Sequence, residues 1–427
     1  MVPDNDRETC MLLNQARALE LMQRDAVDAL VAVSARNVYY LSNYWGLFNR
    51  AGGYEAAYLA MVTTGGAEAT LVMPALEIRR LESTTGTWMP VVRGYSSPAA
   101  DQYFADGTAR GVDYRGWGTA DDAQLTPREK RWLAIVHEHG QQMSADAFWA
   151  LARSLKAAGL ERARIATDDP RLAGWLQARG LEQLDCRYRP QLFNEIRLVK
   201  TPAELEILTR AARANEAALL AAVAAMHEGA SWSELETEYM VAMARQGGRG
   251  VYLTCGVGEL PAGEVRPGEP IMFDGLGQID YYHGDFGRCA VLGRASDKQR
   301  RYHQALLAGW DTATKWLRPG VHYSELAAAV GDAVRKAGIR HFRDPVVHSV
   351  GLEHTDDPKP AGAQPQTKPD RLLEAGMVVN VDLPHTEIGW GSVHMEDTVV
   401  ITADGFERLG VADFSLREVP EEPKTCR

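Results

Sequence analysis

Five residues in the C-terminal half of the chain carry side chains that can bind metal ions. Four of them are carboxylates in β-rich runs, where Asp and Glu are normally depleted. They are Asp274 in "PIMFD", Asp285 in "YYHGDFGRCAVL", Asp382 in "VVNVD" and Glu396 in "SVHMEDTVVI", and His348 in "VVHSVGLEHTDDP" is the fifth. Asp274 and Asp285 are eleven residues apart, across the turn "GLGQ". This spacing predicts a hairpin with both carboxylates on one side of a sheet.

Carboxylates grouped in a sheet need a counter-charge. An ionised carboxylate is costly to bury unless it is paired or metal-bound, and four together repel one another. Four carboxylates and an imidazole suit two divalent ions such as Mn²⁺, Fe²⁺, Co²⁺ or Zn²⁺. Taken singly, each carboxylate is more typical of a strand end or a surface, and His348 is more typical of a structural histidine. The prediction of a metal centre therefore depends on all five residues lying together.

Three further histidines lie close to these residues in the sequence. His354 follows in the "HSVGLEH" loop, where a histidine can bind metal, move protons or fill the loop. His283 and His394 each precede a carboxylate by two residues, so in a strand they share a face with Asp285 and Glu396. We predict that both contact substrate. The alternative is a rim histidine that faces water.

The N-terminal segment is predicted to be an α/β domain over residues 1–190. "DALVAVS" indicates a buried strand, and "NVYYLSNYWG" is an aromatic, β-rich run that ends at a glycine. "AAYLAMVTTGGAEATLVMP" indicates two strands joined by a Gly-Gly turn. Residues 128–159 have helical periodicity. This alternation of helices and strands is typical of an α/β fold.

Residues 191–427 are predicted to form a second, α+β domain. Thr201 and Pro202 mark the start of a long amphipathic helix, and Ser231 caps the next one. Beyond residue 250, short β-rich runs alternate with glycines, and two helices near residues 297–317 and 323–337 interrupt them. This pattern favours a mostly antiparallel sheet.

Composition argues against several classes of partner. The 427 residues carry a formal net charge of −11, which disfavours nucleic acid or an anionic membrane surface. The five cysteines form no CxxC pair, which is typical of a reduced compartment. The sequence shows neither a signal-peptide pattern nor an apolar run of about 20 residues. We therefore predict a cytoplasmic protein that binds neither membrane nor nucleic acid.

Taken in order, these residues resemble the creatinase/prolidase/methionine aminopeptidase family, whose catalytic domain has the pita-bread fold. That family carries an Asp, a second Asp eleven residues on, a His in an HxxGL run and two acids on late strands. Here Asp274, Asp285, His348 in "HSVGL", Asp382 in "EAGMVVNVDLP" and Glu396 in "HMEDTVVIT" match that order. "EIRLVKTPAELEIL" also matches, and "DALVAVSARNVYYLSNYWG" resembles the start of the creatinase-type N-terminal domain.

The resemblance implies a metal-dependent hydrolase that cleaves a C–N bond in a dipeptide or a small amide. It implies a creatinase-like domain before residue 191, a pita-bread catalytic domain after it, and a homodimer. It also implies two divalent ions, Mn, Fe, Co or Zn. Asp285 and Glu396 would bridge the ions, Asp274 would bind one, and His348 with Asp382 would bind the other. A water molecule would be the nucleophile, and Asp382 or Glu396 would take its proton.

His354 would lie beside the substrate and either donate to the oxyanion or move a proton. The chain departs from the family pattern in three places. The family usually has Glu at the position of Asp382, and its two loop histidines are usually seven residues apart, whereas here they are six apart. Its peptidases also carry a histidine before the first metal Asp, but no histidine occurs here between His227 and His283.

Other functions stay open beside hydrolysis. One is a metal-dependent lyase like the dimethylsulfoniopropionate lyases of this fold, and another is a creatinase-like amidinohydrolase in which histidine does the chemistry. A binding protein that keeps only the fold is the fourth possibility. For the lyase, aromatic residues of the N-terminal domain could cage a sulfonium group, or else pack in a core or a dimer interface. They are Tyr44, Trp45, Phe48, Tyr54 and Tyr58.

Overall fold

The computed structural model describes residues 11–52, 55–82, 86–96, 119–140, 143–256, 263–359 and 369–421. Their contacts divide the chain into two compact units, Met1–Ile196 and Arg197–Arg427. The boundary predicted after residue 190 lies at the start of the helix Pro190–Arg197, and the division falls at the end of that helix. Within the described ranges, no helix is long and apolar enough to cross a bilayer.

The first unit is built around a mixed sheet. Its helices are α1 Gln15–Arg24, α2 Ala35–Ser42, α3 Leu47–Ala51, α4 Pro127–Gly140, α5 Ala147–Ala157, α6 Leu172–Gln177 and α7 Pro190–Arg197. Its strands are β1 Ala29–Ala32, β2 Leu59–Thr63, β3 Thr70–Pro74, β4 Val91–Tyr95, β5 Arg164–Thr167 and β6 Asp185–Tyr188. They pair in the order β4-β3-β2-β1-β5-β6, with β1 parallel to β5 and antiparallel to β2. The predicted α/β class is confirmed.

The prediction of a β-rich run in "NVYYLSNYWG" is wrong, because its first half is helix α2. The Ser34 side chain caps this helix by accepting a hydrogen bond from the Asn37 backbone N–H. Asn43 ends it in the left-handed conformation, at φ 62°. Val38 and Leu41 are fully buried, and most of the other residues of this short helix are buried as well. Near-continuous burial removes the polar face that marks a helix in a sequence.

The second unit has two helix pairs and a mostly antiparallel sheet. The helices are α8 Pro202–Ala224, α9 Trp232–Arg245, α10 Asp297–Trp316 and α11 Tyr323–Ala337. The strands are β7 Arg249–Gly256, β8 Ile271–Ile279, β9 Tyr282–Leu292, β10 Val346–Ser349, β11 Val378–Asp382, β12 His385–Glu387, β13 Gly391–Val393, β14 Glu396–Ile401, β15 Phe406–Arg408 and β16 Arg417–Val419. The main path of the sheet runs β10-β11-β14-β9-β8-β7. The α+β prediction is confirmed, and Thr201 and Ser231 cap α8 and α9 as predicted.

The helices cover one face of this sheet and leave the other face free for a site. Helices α8 and α9 pack on β8 and β9 through a core that includes Leu219, Tyr239, Phe273 and Phe286. Helices α10 and α11 belong to a second core, which takes alternate residues of β11 and β14. Side chains alternate between the two faces of a strand. The residues between these core positions therefore project to the opposite face, where the predicted metal ligands lie.

The β8–β9 hairpin turns later than the sequence predicts. "GLGQ" belongs to strand β8, and the turn is formed by Asp280 and Tyr281, which have φ values of 45° and 70°. Two consecutive positive φ angles are typical of a type I′ turn, which matches the twist of a hairpin. Glycine or asparagine usually supplies that conformation. Here Asp280 and Tyr281 adopt it instead, so the sequence has no glycine to mark the turn.

Candidate metal centre

Strand register places three of the predicted ligands in one row across the sheet. Asp274 on β8 is opposite Gly287 on β9, and Gly287 is opposite Glu396 on β14. Glu396 is in turn opposite Asp382 on β11. Because directly opposite residues project to the same face, the three carboxylates point the same way.

A second row lies two residues along the strands and projects to the same face. It contains Asp285 on β9, Asn380 on β11 and His348 on β10, with Asn380 opposite His348. The Thr398 hydroxyl of β14 donates to the Asp285 carbonyl at 3.0 Å and ties the centre of the row together. The five ligands predicted from the sequence therefore share one face of one sheet.

The candidate ligand atoms lie close enough together for several of them to bind the same ion. In each of three sets, the ligand atoms all lie within 4.8 Å of one another. The sets are Asp274, Asp285 and Glu396; Asp382, His394 and Glu396; and Asp285, His348 and His354. Asp285 and Glu396 each belong to two sets and lie at the centre of the group.

Two unpartnered carboxylate oxygens make the site suitable for a divalent cation. Asp274 Oδ1 and Glu396 Oε2 are buried and accept no hydrogen bond from the described residues. Buried polar atoms are normally paired, and carboxylate oxygens with imidazole nitrogens are the donor atoms that Mn, Fe, Co and Zn accept. The residues present are therefore a suitable ligand set for such ions.

The pKa values of the carboxylates reflect their crowding. Burial, with the neighbouring Asp285 carboxylate, raises the pKa of Asp274 to about 7. Burial also raises the pKa of Glu396 well above its usual value, and the charges of Asp285 and Asp382 add to this. Burial acts the same way on Asp285, but His354 and His348 outweigh it and hold the pKa of Asp285 below its usual value. An added positive charge would favour ionisation of all the carboxylates together.

His354 reaches the centre from a loop. Its Nε2 lies 3.1 Å from Asp285 Oδ2, whereas His348 Nε2 is 3.6 Å from the same oxygen. The two rings meet edge to face, with their centroids 5.0 Å apart. The His354 side chain is 42% exposed and that of His348 is 3% exposed. His354 therefore stands on the exposed side of the site.

His394 lies inside the centre and is not a rim histidine. Its Nε2 is 2.6 Å from Asp382 Oδ1 and 3.5 Å from Glu396 Oε2, and its side chain is 1% exposed. The ring occupies the space above Gly287, where a Cβ atom would lie 2.1 Å from His394 Cε1. Burial alone would lower the pKa of His394, but Asp382 raises it above its usual value.

His283 lies farther from the carboxylates. It is 5% exposed, so it too is not a rim histidine. Its Nε2 is 2.7 Å from the Gln278 amide nitrogen, and its Nδ1 is 3.1 Å from the Gly351 carbonyl oxygen. The His283 backbone N–H donates to the same carbonyl at 2.9 Å. These contacts place His283 beneath the loop that carries His354.

Two polar residues of the site were not predicted from the sequence. Asn380 donates from Nδ2 to Glu396 Oε1 at 2.7 Å, and its Oδ1 is buried without a hydrogen-bond partner among the described residues. The Thr254 hydroxyl on β7 is opposite Asp274 and is likewise unpartnered. Asn380 precedes Asp382 by two residues, so strand periodicity could have identified it. Thr254 depends on the register of β7, which the sequence does not reveal.

The suggested aromatic cage in the first unit is wrong for its two innermost members. Tyr44 and Tyr58 are each 2% exposed, and both hydroxyls donate to the buried Glu77 carboxylate. They are core residues whose polar ends are already paired, which leaves no face for a ligand. Tyr54 lies outside the described residues.

Comparisons with known proteins match two family models to the chain. Residues 206–403 match the family model described as Metallopeptidase family M24. Residues 15–168 match the one described as Creatinase/Prolidase N-terminal domain. The chain is 22% identical to a Xaa-Pro dipeptidase of Pyrococcus horikoshii over 411 residues, which are 94% of this chain and 97% of the relative.

Solved structures show the same fold along nearly the whole chain. The prolidase of Pyrococcus horikoshii superposes with a TM-score of 0.64 at 18% identity, over 93% of this chain and 98% of that one. The X-Pro aminopeptidase of Thermotoga maritima superposes with a TM-score of 0.65 at 17% identity, over 95% and 99% of the two chains. Both units therefore have counterparts in single proteins of known structure.

Proposed function

Because this chain belongs to the creatinase/prolidase type of metallopeptidase family M24, we propose that it hydrolyses the peptide bond of a dipeptide at a centre of two divalent ions. The observation that carries the proposal is the sharing of Asp285 and Glu396 between sets of ligand atoms. Two carboxylates that each belong to two sets would help to hold both ions. Asp274 would complete one position. His348 and Asp382, which belong to separate sets with His354 and with His394, would together hold the second ion.

Divalent ions held there would polarise the scissile carbonyl and lower the pKa of a water nucleophile. The chain's own residues divide the remaining work. Asp382, whose side chain is 22% exposed, and Glu396 would accept the proton of that water. His354 stands at the exposed side of the centre, where its ring can donate to the developing oxyanion or to the leaving nitrogen.

The substrate class proposed is the Xaa-Pro dipeptide, by analogy with the relatives. The proposal also extends to Mn, Fe, Co or Zn as the ions, a homodimer and a cytoplasmic location. Hydrolysis is favoured over the lyase because the Tyr44 and Tyr58 side chains are occupied in a core. The unpartnered carboxylate oxygens favour a metal centre over chemistry by histidine alone.

Hydrolysis of a dipeptide panel by metal-loaded and chelator-treated protein tests this function. We expect release of proline from Xaa-Pro substrates by the loaded protein, loss on chelation and recovery when metal is restored. Asp404→Asn serves as a control, since Asp404 is an exposed carboxylate outside the sheet. No turnover of any dipeptide or small amide by fully loaded protein would refute the proposed hydrolysis.

A further inference from the structure

His354 depends on a loop for its position. It belongs to residues 350–357, which follow strand β10, and its half-exposed ring meets the sheet at Asp285. A side chain on irregular backbone is placed by whatever fixes that backbone. The anchors of this loop therefore determine where the imidazole stands.

The principal anchor is Asp356, whose side chain is fully buried between two cations. Arg197 donates to Asp356 Oδ1 from Nη2 at 2.6 Å and from Nε at 3.2 Å. Lys200 donates from Nζ to Asp356 Oδ2 at 3.1 Å and to the Arg197 carbonyl at 2.7 Å. The Arg197 side chain is 2% exposed and that of Lys200 is 0% exposed. A carboxylate held at both oxygens has little freedom to move.

The loop closes tightly around this carboxylate. A Cβ atom at Gly351 would lie 2.2 Å from Asp356 Oδ2 and 2.7 Å from Lys200 Nζ, so only glycine fits there. The Asp356 backbone N–H donates to the Ser349 carbonyl at 3.1 Å and so returns the chain to the end of β10. His354 lies between Gly351 and Asp356 in sequence, inside the closed segment.

Stability does not explain three buried charges. Replacing a buried ion cluster by well-packed apolar residues is often neutral or stabilising, because desolvation offsets the attraction between the charges. Such a cluster can instead fix one conformation among several. Here the conformation that it fixes contains the group nearest the open side of the metal centre.

We propose that Asp356 is the positioning residue for His354, and that Arg197 and Lys200 hold it in place. This inference rests on the proposed function, in which His354 acts on the substrate. Asp357 holds the same loop independently, because it accepts hydrogen bonds from the Ser349 N–H at 2.8 Å and from the Tyr323 hydroxyl at 3.2 Å. The loop therefore stays attached when Asp356 is changed, while the imidazole loses its fixed position.

The test combines Asp356→Asn with an NMR readout of the ring. In zinc-loaded protein, the Cε1–H signal of His354 is assigned by its absence in His354→Ala. We expect Asp356→Asn to shift or broaden that signal, and to leave metal content and KM near those of the wild type. The expected fall in kcat reaches about 100-fold, the size of effect that a misplacement near 1 Å can have. In the His354→Ala background, Asp356→Asn should cause no further loss.

Two more variants keep the test decisive. Lys200→Met removes one anchor and leaves Arg197, so it should give the same changes in weaker form even if Asp356→Asn fails to fold. Glu216→Gln is the matched control, because Glu216 is also buried and accepts N–H donors of Val411 and Ala412 at 2.9 and 3.2 Å.

An unchanged His354 signal in both anchor variants would overturn the proposal, as would loss of bound metal in both. If the wild-type protein turns over no dipeptide but the His354 signal still moves in the anchor variants, the positioning role is supported. In that case the proposed function alone would fail.

Discussion

At the scale of single residues, Asp382, His394 and Gly287 act as one unit. Asp382 stands where the family usually has the longer Glu, and its Oδ1 is 2.6 Å from His394 Nε2. His394 reaches that oxygen because its ring lies in the space that Gly287 leaves open. His394 Nδ1, 3.2 Å from the Phe273 carbonyl oxygen, fixes the ring from the other side. The shorter acid is thus accompanied by a buried imidazole.

Gly287→Ala tests this unit. The new Cβ would lie 2.1 Å from His394 Cε1, so the ring must leave its place beside Asp382. We expect weaker metal binding, a fall in activity of about tenfold or more, and a loss of roughly 1–3 kcal/mol in the free energy of unfolding. Metal titration and urea denaturation would measure these effects.

Gly405→Ala is the matched control, because the nearest atom to its added Cβ is 3.9 Å away. If Gly287→Ala bound metal as tightly as this control, His394 would have no part in the centre.

At the scale of elements, the sheet carries the site because its two faces are used differently. On β8, Phe273 belongs to the core under α8 and α9, while Asp274 projects to the opposite face. On β11, Val379 and Val381 are core residues, and Asn380 and Asp382 alternate with them. Acids at such positions disturb the apolar pattern of a strand. That disturbance made the candidate ligands recognisable in the sequence.

Other features of the elements could not be predicted. The space at Gly287 and the residue opposite Thr254 depend on the register between strands, which one strand's sequence does not fix. The hairpin turn uses Asp280 and Tyr281 in left-handed conformations that glycine or asparagine normally supplies. Helix α2 is buried on most sides, so its pattern resembles that of a strand.

The stability of the fold is expected to depend on pH through Glu204, at the start of helix α8. This side chain is fully buried and accepts hydrogen bonds from the Thr201 N–H at 2.9 Å and the Tyr282 hydroxyl at 3.0 Å. Burial raises the pKa of Glu204 to about 7, despite the nearby charge of Lys200. Since the folded state binds this proton more tightly than the unfolded chain, protonation stabilises the fold. That stabilisation is complete below about pH 4.5 and is lost as pH rises through 7.

Glu204→Gln removes this titration and keeps the capping geometry, because glutamine also serves at this position of a capping box. We expect the wild type to lose more unfolding free energy than the variant between pH 5 and pH 8, by roughly 1–3 kcal/mol. Chemical denaturation of both proteins at the two pH values measures the difference. If the unfolding free energies of the two proteins changed equally with pH, the pKa of Glu204 would be the same in the folded and unfolded states.

At the scale of the whole molecule, the chain combines two units with separate cores. The first has the mixed sheet and helices of the creatinase/prolidase N-terminal domain. The second holds all the ligand atoms brought together at the centre. The proposed catalysis therefore requires the second unit to be folded. Patterns of strands and helices in the sequence predicted two domains and their classes.

Metal content per chain is the first measurement to make on this protein. We expect about two divalent ions per wild-type chain by elemental analysis, with activity lost in Asp285→Asn together with the metal. His354→Ala should keep both ions and lose activity, because its proposed role is to contact the substrate. Absence of bound metal after loading, without thermal stabilisation by added Mn²⁺ or Zn²⁺, would refute the proposed metal centre. So would an Asp285→Asn variant that keeps two ions.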